Sequence, residues 1–372
     1  MDGIFLYGML CHSPLLTVVT GGEPLRLTPA RLPDHAVHWT RGDNIPLLIE
    51  APGEVTDGLL LEMPSDEAMS RLEYYQNSFD ALPAEVDVET DAGPARARLY
   101  RGRGGEELAG DRWDLAEWVA RWGELTLVTV QEIMDDMEVR PASEVARRFG
   151  PMRARGQARL NARQVAPSTL RRTARPEDVD LRRRSLVYSN FFSVEEYDFS
   201  HATFAGGRSR EMNRTAFISA DAVTVLPYDP VRDRVLLVEQ FRAGPFARGD
   251  TQPWMLEAIA GRIDGGETPQ EAARRESLEE AGLELGALHL VSQYYPTPGA
   301  KTEYLFGYIG VADLPDGSAR LGGLPSEDED IRSHVISFDR ALELVESGEI
   351  NVGPLILLIL HLERKRDALR AG

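Results

Sequence analysis

A chain of 372 residues is too long for one ordinary hydrophobic core and suits two domains or slightly more. Hydrophobic residues make up 42% and charged residues 27%, a balance that excludes wholesale disorder. The formal net charge of −19 argues against general nucleic-acid binding, which needs a cationic surface to displace counterions. The same charge repels a phosphate-bearing substrate unless a metal ion or placed arginines offset the field. Cys11 is the single cysteine, so no internal disulfide forms and a reducing compartment fits; its thiol reads as a small buried side chain. The longest apolar run, Leu355 to Leu360, falls far short of the roughly 20 residues a bilayer needs, and no membrane partner is expected. It follows Pro354, a favoured first helical residue, and reads as a buried helix. The start Met1-Asp2-Gly3-Ile4 lacks the basic residues of a signal peptide, so a cytoplasmic location is expected.

Along the chain, Gly3 to about Tyr100 carries short strands and turns, with Ile4 to Tyr7 and Gly58 to Leu61 as apolar strand candidates. A helical stretch follows, where Trp113, Leu115, Trp118, Val119 and Trp122 lie close to a helical period and read as packing residues. From Arg140 to Arg184 arginines far outnumber the acids, and Pro141, Pro151, Pro167 and Pro176 interrupt the stretch. It reads as a linker with short helices, a solvated connector. From Ser185 onward the pattern is strand-rich, then one strong helix, more strands and two final helices. Ala222 to Leu226 and Val235 to Phe241 flank the turn signal Pro227-Tyr228-Asp229-Pro230 and read as a hairpin.

The strong helix carries the chemistry. Thr268 followed by Glu271 forms a capping box, Pro269 occupies the first helical position, and Gly282 suits the left-handed residue that ends a helix. The helix is expected from Pro269 to Ala281. On it Glu276, Glu279 and Glu280 are spaced i, i+3 and i+4, which places all three on one face, where like charges repel. A hard divalent cation with oxygen ligands turns that repulsion into attraction, and magnesium suits two carboxylates plus substrate phosphate oxygens. Arg275 can pair with Glu271 or Glu279 and hold the acids in place. Three glutamates alone are more often a solvated acidic face.

The run from Gly261 through Glu267 to Arg275-Glu276-Ser277-Leu278-Glu279-Glu280-Ala281-Gly282-Leu283 is similar to the Nudix box. Every charged and glycine position fits; only Ser277 departs, where the family prefers an apolar residue. Pro298, fifteen positions beyond Leu283, is similar to the mark of the ADP-ribose pyrophosphatase branch. Glu239 to Arg242, Trp254 to Gly261 and Ser326 to Ile331 also resemble that branch. The resemblance spans roughly Ser185 to Leu369. It implies hydrolysis of the diphosphate of ADP-ribose, or a related ADP-sugar, to AMP and ribose 5-phosphate, with magnesium as cofactor and manganese as a substitute.

Residue roles follow from the resemblance. Glu276 and Glu280, with the backbone carbonyl of Ala260, would hold magnesium. The acidic loop Glu327-Asp328-Glu329-Asp330 would close over the diphosphate with Glu329 as a further ligand, and either Glu327 or Glu329 would activate water. Glu279 counts with the catalytic acids. Arg242 and Arg210, whose guanidinium forks onto phosphate or ribose oxygens, join Pro298 as substrate-binding candidates. Relatives of this branch are typically homodimers, so a dimer is expected.

Leu6-Tyr7-Gly8-Met9-Leu10, Ala51-Pro52-Gly53 and Leu72-Glu73-Tyr74-Tyr75-Gln76 resemble the gamma-glutamylcyclotransferase-like fold, with Tyr7, Gly8, Met9, Leu10 and Gln76 at its pocket. Two departures stand out. Met9 occupies a place usually small and polar, and Gln76 falls where the family has its catalytic glutamate. An amide cannot act as a general base at neutral pH, so this domain is expected to be silent in cyclotransfer. The pairing with a Nudix domain also resembles bacterial proteins linked to tellurite resistance.

The fold expected is α+β and mixed. It comprises a small β-barrel-like cyclotransferase-type domain over 1–110, a helical and Arg-rich linker over 111–184, and a Nudix α/β/α sandwich with a mixed sheet over 185–372. Three other functions compete: hydrolysis of another nucleotide sugar or dinucleotide, a ligand sensor with an inert Nudix domain and an accessory cyclotransferase-like binding module, and a gamma-glutamyl cyclotransferase in the N-terminal half.

Overall fold

The computed structural model describes residues 2–164, 166–324 and 329–371. Contacts divide the chain into two compact units, Met1–Leu160 and Asn161–Gly372.

The first unit is built on β1 (Gly3–Leu6), β2 (Arg26–Thr40), β3 (Pro46–Glu62), β4 (Leu82–Thr90), β5 (Gly93–Arg101) and β6 (Ala109–Arg112). The hydrogen-bonded order β3-β1-β5-β4-β2 closes because β2 also pairs with β3, giving a five-stranded barrel with β6 on the outer side of β2. Closure removes the unpaired edges of an open sheet. The period-two alternation of strands sorts the side chains. Phe5 joins Leu32, Leu48, Leu60, Val88 and Leu99 in one core, while its neighbours Ile4 and Leu6 face a second core built with the helices. The two strand candidates lie in β1 and β3 and pair with each other, Ile4 opposite Leu61 and Leu6 opposite Leu59.

The helices of this unit are α1 (Ser13–Thr20), α2 (Asp66–Asn77), α3 (Leu115–Trp118), α4 (Glu124–Asp135) and α5 (Phe149–Asn161). Trp118, Val130, Ile133, Met134, Val145 and Met152 pack with Leu15, Leu16 and Leu72, so residues 115–160 complete the core of the first unit rather than leaving it as a linker. Nor is the arginine-rich stretch simply a solvated connector. Arg155 is 2% exposed and pairs with Glu132, which is 3% exposed and also takes an ion pair from Arg159 at 3.1 Å. A guanidinium is admitted to the interior there because a buried carboxylate meets it. Cys11 is half-buried, not buried; its thiol donates to the carbonyl of Leu6 at 3.4 Å, and burial pushes it up to about 11.

The second unit opens with an antiparallel meander of β7 (Val179–Ser189), β8 (Ser193–His201) and β9 (Met212–Ile218). Its main sheet has eight strands: β10 (Ala222–Asp229), β11 (Arg234–Phe241), β12 (Trp254–Glu257), β13 (Ile259–Arg262), β14 (Leu288–Tyr294), β15 (Leu305–Val311), β16 (Leu321–Gly322) and β17 (Ile331–Ser337). It is mixed, since β10 runs parallel to β15 and antiparallel to its other partners. Helix α6 (Ala243–Arg248) follows β11. Helix α7 (Pro269–Ala281) buries Ala272, Ala273 and Ala281 against Val223, Val225, Leu236 and Val238 on one face of the sheet. Helices α8 (Phe338–Ser347) and α9 (Gly353–Ala371) cover the other face through Phe338, Leu355, Leu358 and Ile359. The result is the three-layered sandwich. Leu357 and Leu360 are 37% and 44% exposed, so the apolar run in α9 is buried along one face only. Among the described residues no helix is long and apolar enough to cross a membrane.

One feature of this sheet positions the site. Strands β10 and β11 pair only beside their turn, at Tyr228–Val235 and Asp229–Arg234. Beyond it they part, β10 taking β13 and β11 taking β12. The short strands β12 and β13 thus fill a fork in the hairpin, bringing the backbone of Ala260 and Gly261 under α7.

Candidate functional site

Helix α7 has the bounds read from the sequence. Thr268 accepts from the N–H of Glu271, the Glu271 carboxylate accepts in return from Thr268, and Gly282 closes the helix at φ +53°. Ser277, the single departure from the box, is fully buried and donates its hydroxyl to the carbonyl of Ala273 at 2.7 Å. The small polar residue satisfies itself within the helix and lets it sit close to the sheet.

Arg275 is the organiser. Its Nη1 donates to Glu276 at 2.7 Å and to Glu279 at 3.0 Å, its Nε and Nη2 grip Glu267 at 3.0 and 2.9 Å, and Nη2 also reaches the carbonyl of Arg262 at 3.0 Å. One planar fork thus ties three carboxylates to the β13 backbone, a task suited to arginine's rigid donor set. The proposed partner Glu271 is instead used by the cap. Gly261 has no side chain where the Glu276 carboxylate lies, and any Cβ there would overlap it. Glu280 is 1% exposed and accepts from the N–H of Ala260 at 3.4 Å.

Burial raises the Glu276 carboxyl to about 7, with the negative charges of Glu279 and Glu329 adding to it and Arg275 opposing. Burial raises Glu280 to about 9, reinforced by Glu276 and Glu329 and opposed by the Ala260 N–H and Arg242. The fold has therefore gathered carboxylates whose charged forms are costly without a cation, and their hard oxygens are the donors magnesium takes. Among the described residues no three acidic, histidine or cysteine groups already converge at metal-ligand spacing; Arg275 occupies the space beside Glu276 and Glu279. Glu276, Glu280 and Glu329 could hold a divalent ion once their side chains turn toward it.

The remaining candidates divide. Glu329 is brought near the pair, lying against Gly323 next to Gly322, which sits on the Glu280 backbone, and its charge raises both carboxyls. Glu327 and Asp328, in the expected acidic loop, lie outside the described residues. Arg242 follows β11 and donates through Nε to Glu257 at 2.8 Å, with Nη2 at 2.7 Å, close enough to act on Glu280. Arg210 stands exposed in the β8–β9 connection, and among the described residues no hydrogen bond or ion pair joins it to α7. Pro298 sits exposed in the turn between β14 and β15. That turn is stitched to β9 by the bond from the Phe217 N–H to the Ala300 carbonyl at 2.8 Å. Sequence reasoning missed Glu257, the anchor of Arg242. It faces Val238 across β11–β12, a register that exists only because the hairpin forks, and no spacing in the sequence announces that.

In the first unit a pocket is lined by Met9, Asn44, Tyr75, Phe79, Trp118, Thr126 and Arg153 among others, with no carboxylate among its lining residues. Of the five expected pocket residues only Met9 lines it, meeting the Tyr75 hydroxyl through sulfur at 3.8 Å. Tyr7 instead donates to the carbonyl of Tyr100, Gly8 packs on Pro46, and Leu10 is core. Gln76 is half-buried near the end of α2, outside that lining. Glu73, the nearest acid in the motif, is engaged by the Tyr100 hydroxyl at 3.1 Å and by Arg98 at 3.4 Å.

Comparison with known proteins agrees with this division. The sequence model of the family described as NUDIX domain matches residues 219–355, and that described as gamma-glutamyl cyclotransferase, AIG2-like, matches residues 4–120. The chain is 37% identical over 206 residues to the ADP-ribose pyrophosphatase of Escherichia coli (strain K12), covering 55% of this chain and 98% of that protein. It is 34% identical over 183 residues to the ADP-ribose pyrophosphatase of Haemophilus influenzae, covering 49% of this chain and 84% of that protein. It is 30% identical over 186 residues to the GDP-mannose pyrophosphatase of Salmonella arizonae, covering 50% of this chain and 95% of that protein.

Proposed function

The chain belongs to the Nudix hydrolase family, and we propose that it hydrolyses the diphosphate bridge of ADP-ribose, or a closely related ADP-sugar, to AMP and ribose 5-phosphate. The observation that carries this reading is the mutually repelling pair Glu276 and Glu280 beside the β13 backbone, the half-buried Glu276 held by Arg275 and the buried Glu280 by the Ala260 N–H. The two ADP-ribose pyrophosphatases similar to this chain over 84% and 98% of their own length support the choice of substrate.

Magnesium is the ion proposed, with manganese as a substitute; when bound it neutralises diphosphate charge and acidifies water. Glu276, Glu280 and Glu329 would hold it, with the Ala260 carbonyl. This chain's own residues do the rest. Arg275 orients the carboxylates, and Arg242, steadied by Glu257, offers its guanidinium edge to phosphate or ribose oxygens. Glu327 or Glu329 accepts the proton from the attacking water. The protein acts as a homodimer in this reading, supported by the β7–β9 meander, which leaves Val179, Leu181, Val187 and Tyr188 each more than 50% exposed. The first unit is a binding or packing module without cyclotransferase activity, supported by a pocket lined without a carboxylate.

The test is AMP release from a panel of ADP-sugars, GDP-mannose and dinucleotides with magnesium present. ADP-ribose should be among the best substrates and EDTA should abolish turnover. GDP-mannose as the preferred substrate would favour the second reading, hydrolysis of another nucleotide sugar, to which the similarity to GDP-mannose pyrophosphatase points.

A further inference from the structure

We propose that Gly322 and Gly323 are positioning residues for the hydrolysis, Gly322 lying directly on the backbone of Glu280 and Gly323 against Glu329. The proposal rests on the functional reading above. Strand β16 is only two residues long and pairs with β17, Leu321 facing Arg332 and Gly322 facing Ile331. Its other side lies on the last turn of α7. A methyl group at 322 would overlap the carbonyl oxygen of Glu280 and stand 2.8 Å from its carbonyl carbon. The residue touched is therefore the one whose carboxylate points into the site.

Gly323 sets the second constraint. Its φ of +94° lies where side chains are strained, and a Cβ there would come within 2.8 Å of both the Cβ and the carbonyl oxygen of Glu329. The Glu329 N–H donates to the Leu324 carbonyl at 3.3 Å, and the Leu324 N–H donates to the Glu329 carboxylate at 3.3 Å. Two backbone contacts thus connect Glu280 with Glu329: Gly322 against the helix and Gly323 against the loop acid. The influence of Glu329 on both helix carboxyls is the electrostatic consequence of that closeness. Each glycine acts through Glu329, which Gly323 touches and which Gly322 ties to Glu280.

The test is a double-mutant cycle on the full chain, combining Gly322→Ala or Gly323→Ala with Glu329→Gln. ADP-ribose turnover, KM, the manganese concentration for half-maximal activation and the thermal midpoint are measured for each variant. Each glycine variant should lower kcat by about 10- to 100-fold, change KM less than about 3-fold and raise the manganese requirement. In the Glu329→Gln background the same glycine change should cost less than about 3-fold, because the group it positions is already disabled. Equal losses in both backgrounds would show a general structural role and overturn the proposal, as would wild-type kcat in both glycine variants. Should Gly322→Ala fail to fold, Gly323→Ala carries the cycle alone. Wild-type turnover in Glu329→Gln overturns the proposal while leaving the functional reading to stand or fall on Glu280→Gln.

Discussion

Replacing Gly261 with alanine perturbs one carboxylate and little else. The three atoms nearest to the added methyl all belong to the Glu276 side chain. Gly261 is not among the residues at positive φ, so alanine strains no backbone torsion. The nearer oxygen, Oε1, would be overlapped outright, and even Oε2 would stand 2.5 Å away, against the 3.4 Å at which ordinary contact begins. The carboxylate must therefore retreat by roughly 1 Å at its far oxygen and more at its near one, giving up the 2.7 Å bond from Arg275. A displacement of about 1 Å in a catalytic constellation can cost on the order of 100-fold, equivalent to about 2.7 kcal/mol of barrier. Gly261→Ala is expected to lower kcat for ADP-ribose by about that factor, with a raised magnesium requirement and an unchanged circular dichroism spectrum. AMP release over a magnesium titration, with a thermal melt alongside, measures all three. A kcat within about 3-fold of wild type, in a variant that melts normally, would refute the argument that Glu276 needs its place against a bare backbone.

Three further expectations follow the same geometry. Glu280→Gln preserves shape but removes a buried anionic ligand, so turnover should fall at least ~100-fold without unfolding; an equally active variant would contradict the metal assignment. Stability without metal should fall as pH rises from about 4.5 through about 7 and on to about 9, because the raised carboxyls of Glu276 and Glu280 stay protonated in the fold while the unfolded chain releases its protons. Magnesium should stabilise increasingly over the same range, since the ion competes with those protons. Thermal midpoints of wild type and Glu280→Gln between pH 5 and 9 check this, and identical slopes for the two proteins would rule it out. The full chain should release no 5-oxoproline from gamma-glutamyl dipeptides; its appearance, lost in a Met9 or Tyr75 variant, would make the first unit an enzyme after all.

Legibility followed the range of the forces involved. Helix α7 was readable to the residue because its start, stop and acidic face are set by neighbours three or four positions apart, and the structure reproduces cap, proline and left-handed glycine. The strands Ile4–Leu6 and Leu59–Leu61 were readable as apolar runs, but their meeting across a closed barrel depends on β2 pairing with β3 along most of its length. Residues 115–160 pack into the first unit for a related reason. Arginines and prolines between Arg140 and Arg184 dominate the composition, whereas Val145, Met152 and the buried Arg155–Glu132 pair decide where that stretch packs. In the site, Arg275 was expected to take Glu271 or Glu279; Glu267, eight positions away across the cap, is reached because the loop before the helix turns back, held by the bond from the Asp264 N–H to the Glu267 carboxylate. Gly322 had no local signal, and Glu257 stood only inside the string Trp254 to Gly261, with nothing local to show its role. Each matters through a strand placed beside it by the sheet.

The sequence-wide charge constrains how such a site can bind an anion at all. The chain carries −19, and the two arginines that oppose the raised carboxyls of Glu276 and Glu280 are already engaged, Arg242 with Glu257 and Arg275 with Glu267, Glu276 and Glu279. Their fields are largely cancelled by their own partners, so they orient a diphosphate better than they attract one. Attraction has to come from ions gathered by the acids themselves. Raising monovalent salt should then weaken ADP-ribose binding little at saturating magnesium, because multiply charged ions held close to the diphosphate are screened far less than distant surface charge. A steep loss of kcat/KM between about 0.05 and 0.5 M sodium chloride, with magnesium held saturating, would mean that exposed arginines such as Arg210 supply the attraction instead.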